Sequence, residues 1–325
     1  MIKYTLTVVV VLLGLTWPSF IWSEDQPLEV QIVDALHKAF GTHPSFRANH
    51  AKGVVVEGNF KASSDAPLLS KAKLFDGSTI PVTVRFSDAT GIPNLPDGSA
   101  PANPHGMAIK LHLPDGDVDM VTNSLKFFPV SSGAEFRDLI LAIAASPPDA
   151  PKPTKLNQFV AAHPTVAAAS ATAATPDSFA YEEYRGINAF IFVNKAGKRQ
   201  AVRYLIRPER VVHLDPADAT KRPPSFLVDE LPQRLKQGPV TFHLAAQLAG
   251  PSDSTKDPTQ PWPDDRKVVD LGILTIEKSV VDSTEAEKSL LFLPGQLTDG
   301  IEPSDDPLID VRDRTYPVSF SKRNP

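Results

Sequence analysis

The sequence contains no cysteine, and this absence excludes several kinds of chemistry. Disulfides, thiolate metal sites and thiol nucleophiles all require a cysteine sulfur. In an exported protein, a chain without cysteine is typical of a fold large enough to need no disulfide, and it suits an oxidising bacterial periplasm. Any catalysis must therefore use other groups.

Long apolar runs are also lacking. The longest run, residues 6–15, falls short of the roughly 20 residues that a membrane-spanning helix needs. It follows Lys3 and precedes Pro18 and a group of small residues, which is the architecture of a secretory signal peptide. We predict cleavage near Ser23, with residues 1–23 as the signal peptide. The mature protein is then exported, to a bacterial periplasm, without a stable membrane span.

The chain has no excess of positive charge, since its net charge is −5. Nucleic acid is therefore excluded as a partner. The sequence also has no GxSxG elbow, no HExxH pair, no Gly-rich phosphate loop and no internal repeat. Serine hydrolase and zinc enzyme mechanisms have no support. Among the 8 scattered histidines, His50 follows Arg47 by three residues, but a lone histidine is more often structural than catalytic.

What is present is the composition of a globular protein, with 42% hydrophobic and 22% charged residues in 325. The 32 prolines indicate many fixed turns. Strand-like segments dominate, separated by short connections, and they occupy residues 53–60, 80–87, 105–113, 117–122, 187–194, 199–207, 239–249 and 268–276. This pattern favours an antiparallel sheet that closes, or nearly closes, into a barrel.

Helical patterns occupy residues 27–40 and 133–146, and a weaker one runs from 155 to 174. The segment NKAG, residues 194–197, predicts a hairpin turn. Strands lie on both sides of the helical insertion, so we expect residues 24–325 to form a single α+β domain.

The last stretch, PLIDVRDRTYPVSFSKR, places Tyr316 four residues after Arg312 and seven before Arg323. Taken alone, Tyr316 is best interpreted as a core residue. Asn123 reads as a turn residue and Arg85 as a solvated strand residue.

Five segments change this interpretation when they are considered together. They read FRANHAKGVVVEGNF, VTVRFSDATG, NPHGMAIKLHLPDGDVDMVTN, FFPVSSGAEFRDLI and LTDGIEPSDDPLIDVRDRTYP. Their order and residues resemble those of the haem catalases, and most closely the small exported catalase-related peroxidases. The resemblance covers about residues 27–323.

The resemblance implies the catalase core, which is an antiparallel eight-stranded β-barrel with packed helices, here without a C-terminal helical domain. It implies haem b (iron protoporphyrin IX) as the cofactor. Tyr316 then matches the axial ligand of the haem iron. Arg312, one helical turn earlier, matches the residue whose guanidinium stabilises the phenolate.

The same resemblance implies a role for each remaining residue of the site. His50 matches the distal histidine and Asn123 the distal asparagine. Ser87 matches the residue that hydrogen-bonds the far nitrogen of the histidine. The arginines that match those placed against the haem propionates are Arg47, Arg85 and Arg323. The aromatic residues that match those of the distal pocket are Phe128 and Phe136.

Two departures from the family pattern concern the local geometry of the pocket. Phe46 replaces the usual acidic residue before the arginine of the distal motif. The asparagine motif continues as NSLKFF, without its usual second asparagine and proline.

The implied activity is that of a haem peroxidase. It reduces organic peroxides and hydrogen peroxide with a small organic electron donor, and its catalase activity is weak because the short chain leaves a wider channel. We expect a monomer or homodimer. Two alternatives remain open, a hydroperoxide-rearranging haem enzyme and a non-catalytic periplasmic haem-binding protein.

Overall fold

The computed structural model describes residues 26–323 of the chain. The predicted signal peptide, residues 1–23, lies outside the described residues, so its cleavage stays a prediction. Among residues 26–323, no helix combines the length and the apolar character that crossing a membrane requires.

Within residues 26–323, eight antiparallel strands close into a barrel, as the sequence predicts. The strands of the ring, in spatial order, are β1 (Gly53–Ala62), β2 (Thr79–Ser87), β3 (Gly106–Leu111), β4 (Val118–Asn123), β5 (Tyr184–Arg185), β7 (Arg199–Pro208), β8 (Val240–Leu248) and β9 (Val268–Ser279). Pairing of β7 with β8 closes the ring. Two short strands extend the sheet from β7, and these are β6 (Phe190–Val193) and β10 (Ile301–Pro303).

Alternate residues of the barrel strands fill the barrel interior. In β2, for example, Ile80, Val82, Val84 and Phe86 are all buried in the main core. This spacing follows from the two-residue period of a strand, which sends neighbouring side chains to opposite faces. The barrel is therefore packed solid, and its other face is the one available to a site.

Helices surround this barrel. Their bounds are α1 (Leu28–Phe40), α2 (Ala66–Leu69), α3 (Gly133–Ala144), α4 (Lys155–Ala162), α5 (Pro164–Ser170), α6 (Pro216–Ala219), α7 (Phe226–Leu235), α8 (Ser283–Ser289) and α9 (Pro307–Arg323). Helices α1, α3 and α9 pack on one another around a second apolar core that includes Leu36, Ile140 and Val311. This core holds the three helices as a layer outside the barrel wall.

The hairpin predicted at residues 194–197 is present, because the amide of Gly197 donates to the carbonyl oxygen of Asn194 at 2.9 Å. Other boundaries differ from the sequence pattern. The helical pattern of residues 155–174 divides at His163 into α4 and α5, since Pro164 begins a new helix there. The strand predicted at 187–194 is only the short β6, and the ring uses β5 instead.

Candidate active site

A cavity of about 300 Å³ lies between the outer wall of the barrel and the helical layer. Small-molecule and cofactor sites usually have roughly 300–1,000 Å³. All of the site residues predicted from the sequence line this one cavity, and they are Arg47, His50, Arg85, Ser87, Asn123, Phe128, Phe136, Arg312, Tyr316 and Arg323. The fold thus brings together residues that lie up to 276 positions apart, from Arg47 to Arg323.

The strand register places several of these side chains on the cavity face. Phe86 points into the barrel core, so its neighbours Arg85 and Ser87 point to the opposite face. Gly106 of β3 is paired with Ser87 on one side and with Asn123 on the other. Three adjacent strands therefore present one row of site residues at the same end of the barrel.

His50 lies in the loop between α1 and β1, with a left-handed backbone φ of 56°. The Oγ of Ser87 lies 3.1 Å from its Nδ1. Burial and the nearby Arg85 guanidinium lower the pKa of His50 to about 4. Its imidazole is therefore neutral near neutral pH. Since Nδ1 is engaged by Ser87, Nε2 is the nitrogen that can accept a proton from a ligand in the cavity.

Gly106 makes this arrangement sterically feasible. A Cβ at this position would lie 2.8 Å from Ser87 Oγ, closer than real Cβ atoms come to a neighbour, and 3.1 Å from His50 Nδ1, which is a tight contact. Only glycine therefore lets the histidine and serine approach the strand this closely.

Asn123 is the last residue of β4, and its side-chain oxygen is bound to the backbone of its own loop. That Oδ1 accepts a hydrogen bond from the amide of Leu125 at 2.9 Å. The side-chain amide group consequently offers its N–H donors to the cavity. Beyond it, the rings of Phe128 and Phe136 pack with their centroids 5.7 Å apart. These two rings belong both to the apolar cluster under α3 and to the wall of the cavity.

A buried acid and a buried histidine lie behind Ser87. Asp88 and His105 are both completely inaccessible to solvent, and Nε2 of His105 lies 3.4 Å from Oδ1 of Asp88. Burial, with a further contribution from nearby Asp97, raises the pKa of Asp88 far above its usual range. Burial lowers the pKa of His105 to about 3. Both groups are thus uncharged near neutral pH, and Asp88 brings no negative charge next to His50.

The helical side of the cavity carries Tyr316 and Arg312, one turn apart on α9. Nε of Arg312 donates to the Tyr316 hydroxyl oxygen at 2.8 Å. A guanidinium in this position stabilises negative charge on a phenolic oxygen. The pair therefore presents an oxygen donor suited to a ferric iron.

Two buried residues that the sequence analysis missed hold Arg312 in place. Its Nη1 donates to Oδ1 of Asn188. Nδ2 of Asn188 in turn donates to Oδ2 of Asp306 at 2.7 Å. The other carboxylate oxygen of Asp306 accepts from the amide of Leu308 at 2.9 Å, in the first turn of α9. Asp306 thereby links the start of α9 to the guanidinium beside Tyr316.

Arg47, Arg85 and Arg323 converge at one end of the cavity. Nη2 of Arg85 donates to the carbonyl oxygen of His50 at 2.9 Å, and Nη2 of Arg47 donates to that of Leu290 at 3.0 Å. Arg323 also donates to the Leu290 carbonyl, at 2.6 Å. The Nε atoms of all three arginines are buried and make no well-aligned hydrogen bond among residues 26–323, although those of Arg85 and Arg47 form ion pairs with the carboxylate of Glu287.

This arginine cluster is short of negative charge. Burial and the proximity of Arg85 and Arg323 lower the pKa of Arg47 well below its usual range. Buried cations with unused donors call for anionic partners, and forked guanidinium groups suit carboxylates. Together with the phenolic donor on α9, the cluster fits a flat iron porphyrin that carries carboxylate groups.

The two departures in the distal motifs have local consequences. Phe46 lies outside the lining of the cavity. A carboxylate reaches Arg47 from elsewhere, since Oε2 of Glu287 on α8 lies 3.7 Å from its Nε. In the asparagine motif, Ser124 replaces the second asparagine, and its Oγ accepts from the amide of His105 at 3.1 Å. The loop after β4 is therefore held without the usual residues.

The residues that sequence reasoning missed are Gly106, Asn188, Glu287 and Asp306. Only Asp306 has a local signal, since an aspartate next to a proline at a helix start is a capping pattern. The others are defined by contacts between distant segments. No local pattern of residues indicates them.

Comparison with known proteins gives a consistent result. The catalase family model matches residues 30–324. A catalase-related peroxidase of Mycolicibacterium paratuberculosis is 38% identical over 299 residues, covering 90% of this chain and 94% of that protein. One from Synechococcus elongatus is 34% identical and covers 90% and 88%. A fungal catalase crystal structure, 21% identical, has the same fold with a TM-score of 0.76, covering 86% of this chain and 59% of that one.

Proposed function

The chain belongs to the catalase family, and we propose that it is a haem b-dependent peroxidase that reduces hydrogen peroxide and organic peroxides with a small organic electron donor. It is an oxidoreductase that acts on peroxide. The observation that carries the finer proposal is the convergence of a neutral histidine, an amide donor, a guanidinium-paired tyrosine and three arginines on one cavity.

The residues of the cavity fit the cofactor that the family implies. Tyr316, held by Arg312, would bind the iron, and Arg47, Arg85 and Arg323 would hold the propionates. When bound, haem supplies the iron at which the peroxide O–O bond breaks and the electrons that reduce it. The protein supplies the ligand, the position and the proton transfer.

His50 is the proposed catalytic base and acid. Its neutral imidazole accepts the proton from one peroxide oxygen at Nε2 and returns it to the oxygen that departs as water or alcohol. Ser87 and the close approach of Gly106 keep the ring in the orientation that this transfer needs. Asn123 orients the peroxide through its side-chain N–H donors.

Phe128 and Phe136 have a different proposed role. They exclude bulk water from the distal side, which strengthens the hydrogen bonds made there. We propose that organic peroxides as well as hydrogen peroxide reach this side of the cavity, and we expect the dismutation of hydrogen peroxide alone to be slow.

The test uses the haem-loaded protein with two histidine variants. His50→Gln should keep its haem and lose peroxide cleavage by roughly 10²–10⁴-fold, the usual contribution of a general acid and base. His243→Gln, in which the exposed histidine of β8 is changed, is the matched control and should behave like the wild type. Undiminished cleavage in His50→Gln would contradict the proposal, and a wild type that binds haem without cleaving peroxide would favour a haem-binding protein.

Product analysis distinguishes a peroxidase from a hydroperoxide-rearranging haem enzyme. With an organic hydroperoxide and an oxidisable phenol, a peroxidase yields one alcohol for every two one-electron oxidations of the donor. A rearranging enzyme consumes the hydroperoxide without oxidising the donor. Export and a monomeric or homodimeric state are proposed from the sequence, and N-terminal sequencing with light scattering of the exported protein tests both.

A further inference from the structure

Glu287, near the end of α8, is the acidic side chain of the arginine cluster. Its Oε1 lies 2.9 Å from Nε of Arg85, and its Oε2 lies 3.7 Å from Nε of Arg47. Its backbone oxygen accepts a hydrogen bond from Nη2 of Arg323 at 3.1 Å. The side chain of Glu287 is only 13% exposed. One residue thus contacts all three arginines.

The position of Glu287 separates it from the space that a cofactor would fill. The three arginines line the cavity, whereas Glu287 lies outside the set of lining residues. Helix α8 is fixed to the barrel, because Oγ of Ser283 accepts from the amide of Val55 at 3.0 Å. Asp282 caps the same helix by accepting from the amide of Glu285 at 3.0 Å. The carboxylate therefore approaches the guanidinium groups from behind and leaves their cavity side to a ligand.

The charges of the cluster can be counted. Among the described residues, three guanidinium groups and the Glu287 carboxylate leave a net charge of +2. A porphyrin with two propionates brings a charge of −2. The charge of the cluster and that of the two propionates are thus equal and opposite, so the carboxylates and guanidinium groups compensate one another when they combine.

We propose that Glu287 is a specificity-determining residue that sets the arginine cluster at +2, the charge that two propionates balance, and so limits how strongly the site prefers a porphyrin with two free carboxylates over an uncharged one. This inference rests on the proposed function, in which the arginines hold the propionates. Glu287 has a second effect in the cofactor-free protein, where it is the counter-charge that lets three buried guanidinium groups lie side by side.

The test measures binding to the cofactor-free protein, without any turnover. Haem and haem dimethyl ester, which lacks both negative charges, are titrated separately and the ratio of their dissociation constants is taken. In Glu287→Gln the preference for haem over the ester should rise about tenfold, because a repulsion of the propionates is removed at the effective dielectric of a protein site. The cofactor-free variant should also melt below the wild type, since the arginines lose their counter-charge.

Glu285→Gln is the matched control on the same helix. Glu285 is 68% exposed and pairs with Lys288 at the surface. Its removal should leave both the haem-to-ester preference and the melting temperature at wild-type values.

A double-mutant cycle of charge-neutralising substitutions gives a second test if Glu287→Gln alone folds poorly. Arg47→Gln lowers the net charge to +1 and should reduce the preference for haem. The double variant with Glu287→Gln returns the net charge to +2, so its preference should return toward the wild type. A double variant no better than Arg47→Gln contradicts the inference.

The outcomes separate the two levels of the proposal. If the wild type binds haem and its dimethyl ester equally well, the arginines do not hold carboxylates and the proposed cofactor contacts fail. If the wild type prefers haem but Glu287→Gln leaves that preference unchanged or lowers it, the cofactor contacts stand and only the role of Glu287 is refuted.

Discussion

Replacing Gly106 with alanine should disable the distal histidine while leaving most of the fold intact. The added Cβ would lie 2.8 Å from Ser87 Oγ, 3.1 Å from His50 Nδ1 and 3.2 Å from His50 Cε1. Because a Cβ contact below 3.0 Å is not tolerated, either the serine or the imidazole must move. Overpacking of this kind costs about 1–3 kcal/mol of stability.

The loss of activity should exceed the loss of stability. A catalytic group misplaced by about 1 Å can cost roughly 10²-fold in rate. We therefore expect peroxide cleavage by Gly106→Ala, measured by stopped-flow on the haem-loaded protein, to fall by about that factor. Haem content per protein, read from the Soret band, should stay near the wild-type value because the atoms nearest to the added Cβ belong to Ser87 and His50, which are not proposed to hold the haem.

A second glycine provides the control for this experiment. At Gly238 a Cβ would meet nothing within 4 Å among the described residues. Gly238→Ala should therefore match the wild type in both rate and stability. If Gly106→Ala is folded, binds haem and cleaves peroxide at the wild-type rate, the close packing of His50 and Ser87 against the strand is not what positions the histidine.

Three further predictions concern ionisable groups around the site. Because the pKa of His50 is lowered to about 4, peroxide cleavage should keep its rate as the pH falls to about 5; an acid limb near the ordinary histidine pKa of about 6.5 would contradict this. Asp88 keeps its proton in the folded state, whereas the unfolded chain releases it above about pH 4. Urea unfolding should therefore show wild-type stability declining relative to Asp88→Asn as pH rises, by up to about 1.4 kcal/mol per pH unit; parallel pH profiles would refute it. Asp306→Asn removes one of the two hydrogen bonds that this carboxylate accepts. The variant should lose about 1–3 kcal/mol of folding stability, and its Soret band should shift. An unchanged band would mean that Asn188 does not position Arg312.

The barrel could be predicted from the sequence because its strands alternate regularly. Residues 80–87 and 105–113 show the two-residue period clearly, and both contain barrel strands. β5 was missed because its two residues are too few to show a period. Helix α7 was missed because Pro232 lies inside it, and proline normally argues against a helix interior.

The residues of the site likewise fall into those that the sequence could indicate and those that it could not. The motif residues could be assigned because short segments of the chain resemble haem catalase motifs residue by residue, as Arg312, Tyr316 and Pro317 do. Glu287 could not, because its contacts to Arg85 and Arg47 span 202 and 240 residues. Likewise, Asn188 and Asp306 meet across 118 residues. Such pairs depend on how α8 and α9 dock on the barrel, which no local pattern records.

The cavity and the core share the same strands, and this couples the chemistry to the packing. In β2, Phe86 stacks within the barrel on Phe179 with a centroid distance of 5.5 Å, while Ser87 and Arg85 face the cavity. A register slip of one residue would turn Arg85 and Ser87 into the apolar barrel interior and send Phe86 into the site. The apolar contacts of Phe86 therefore hold the distal residues on the correct face. A truncation such as Phe86→Ala should reduce peroxide cleavage as well as stability, although Phe86 lines the barrel and not the cavity.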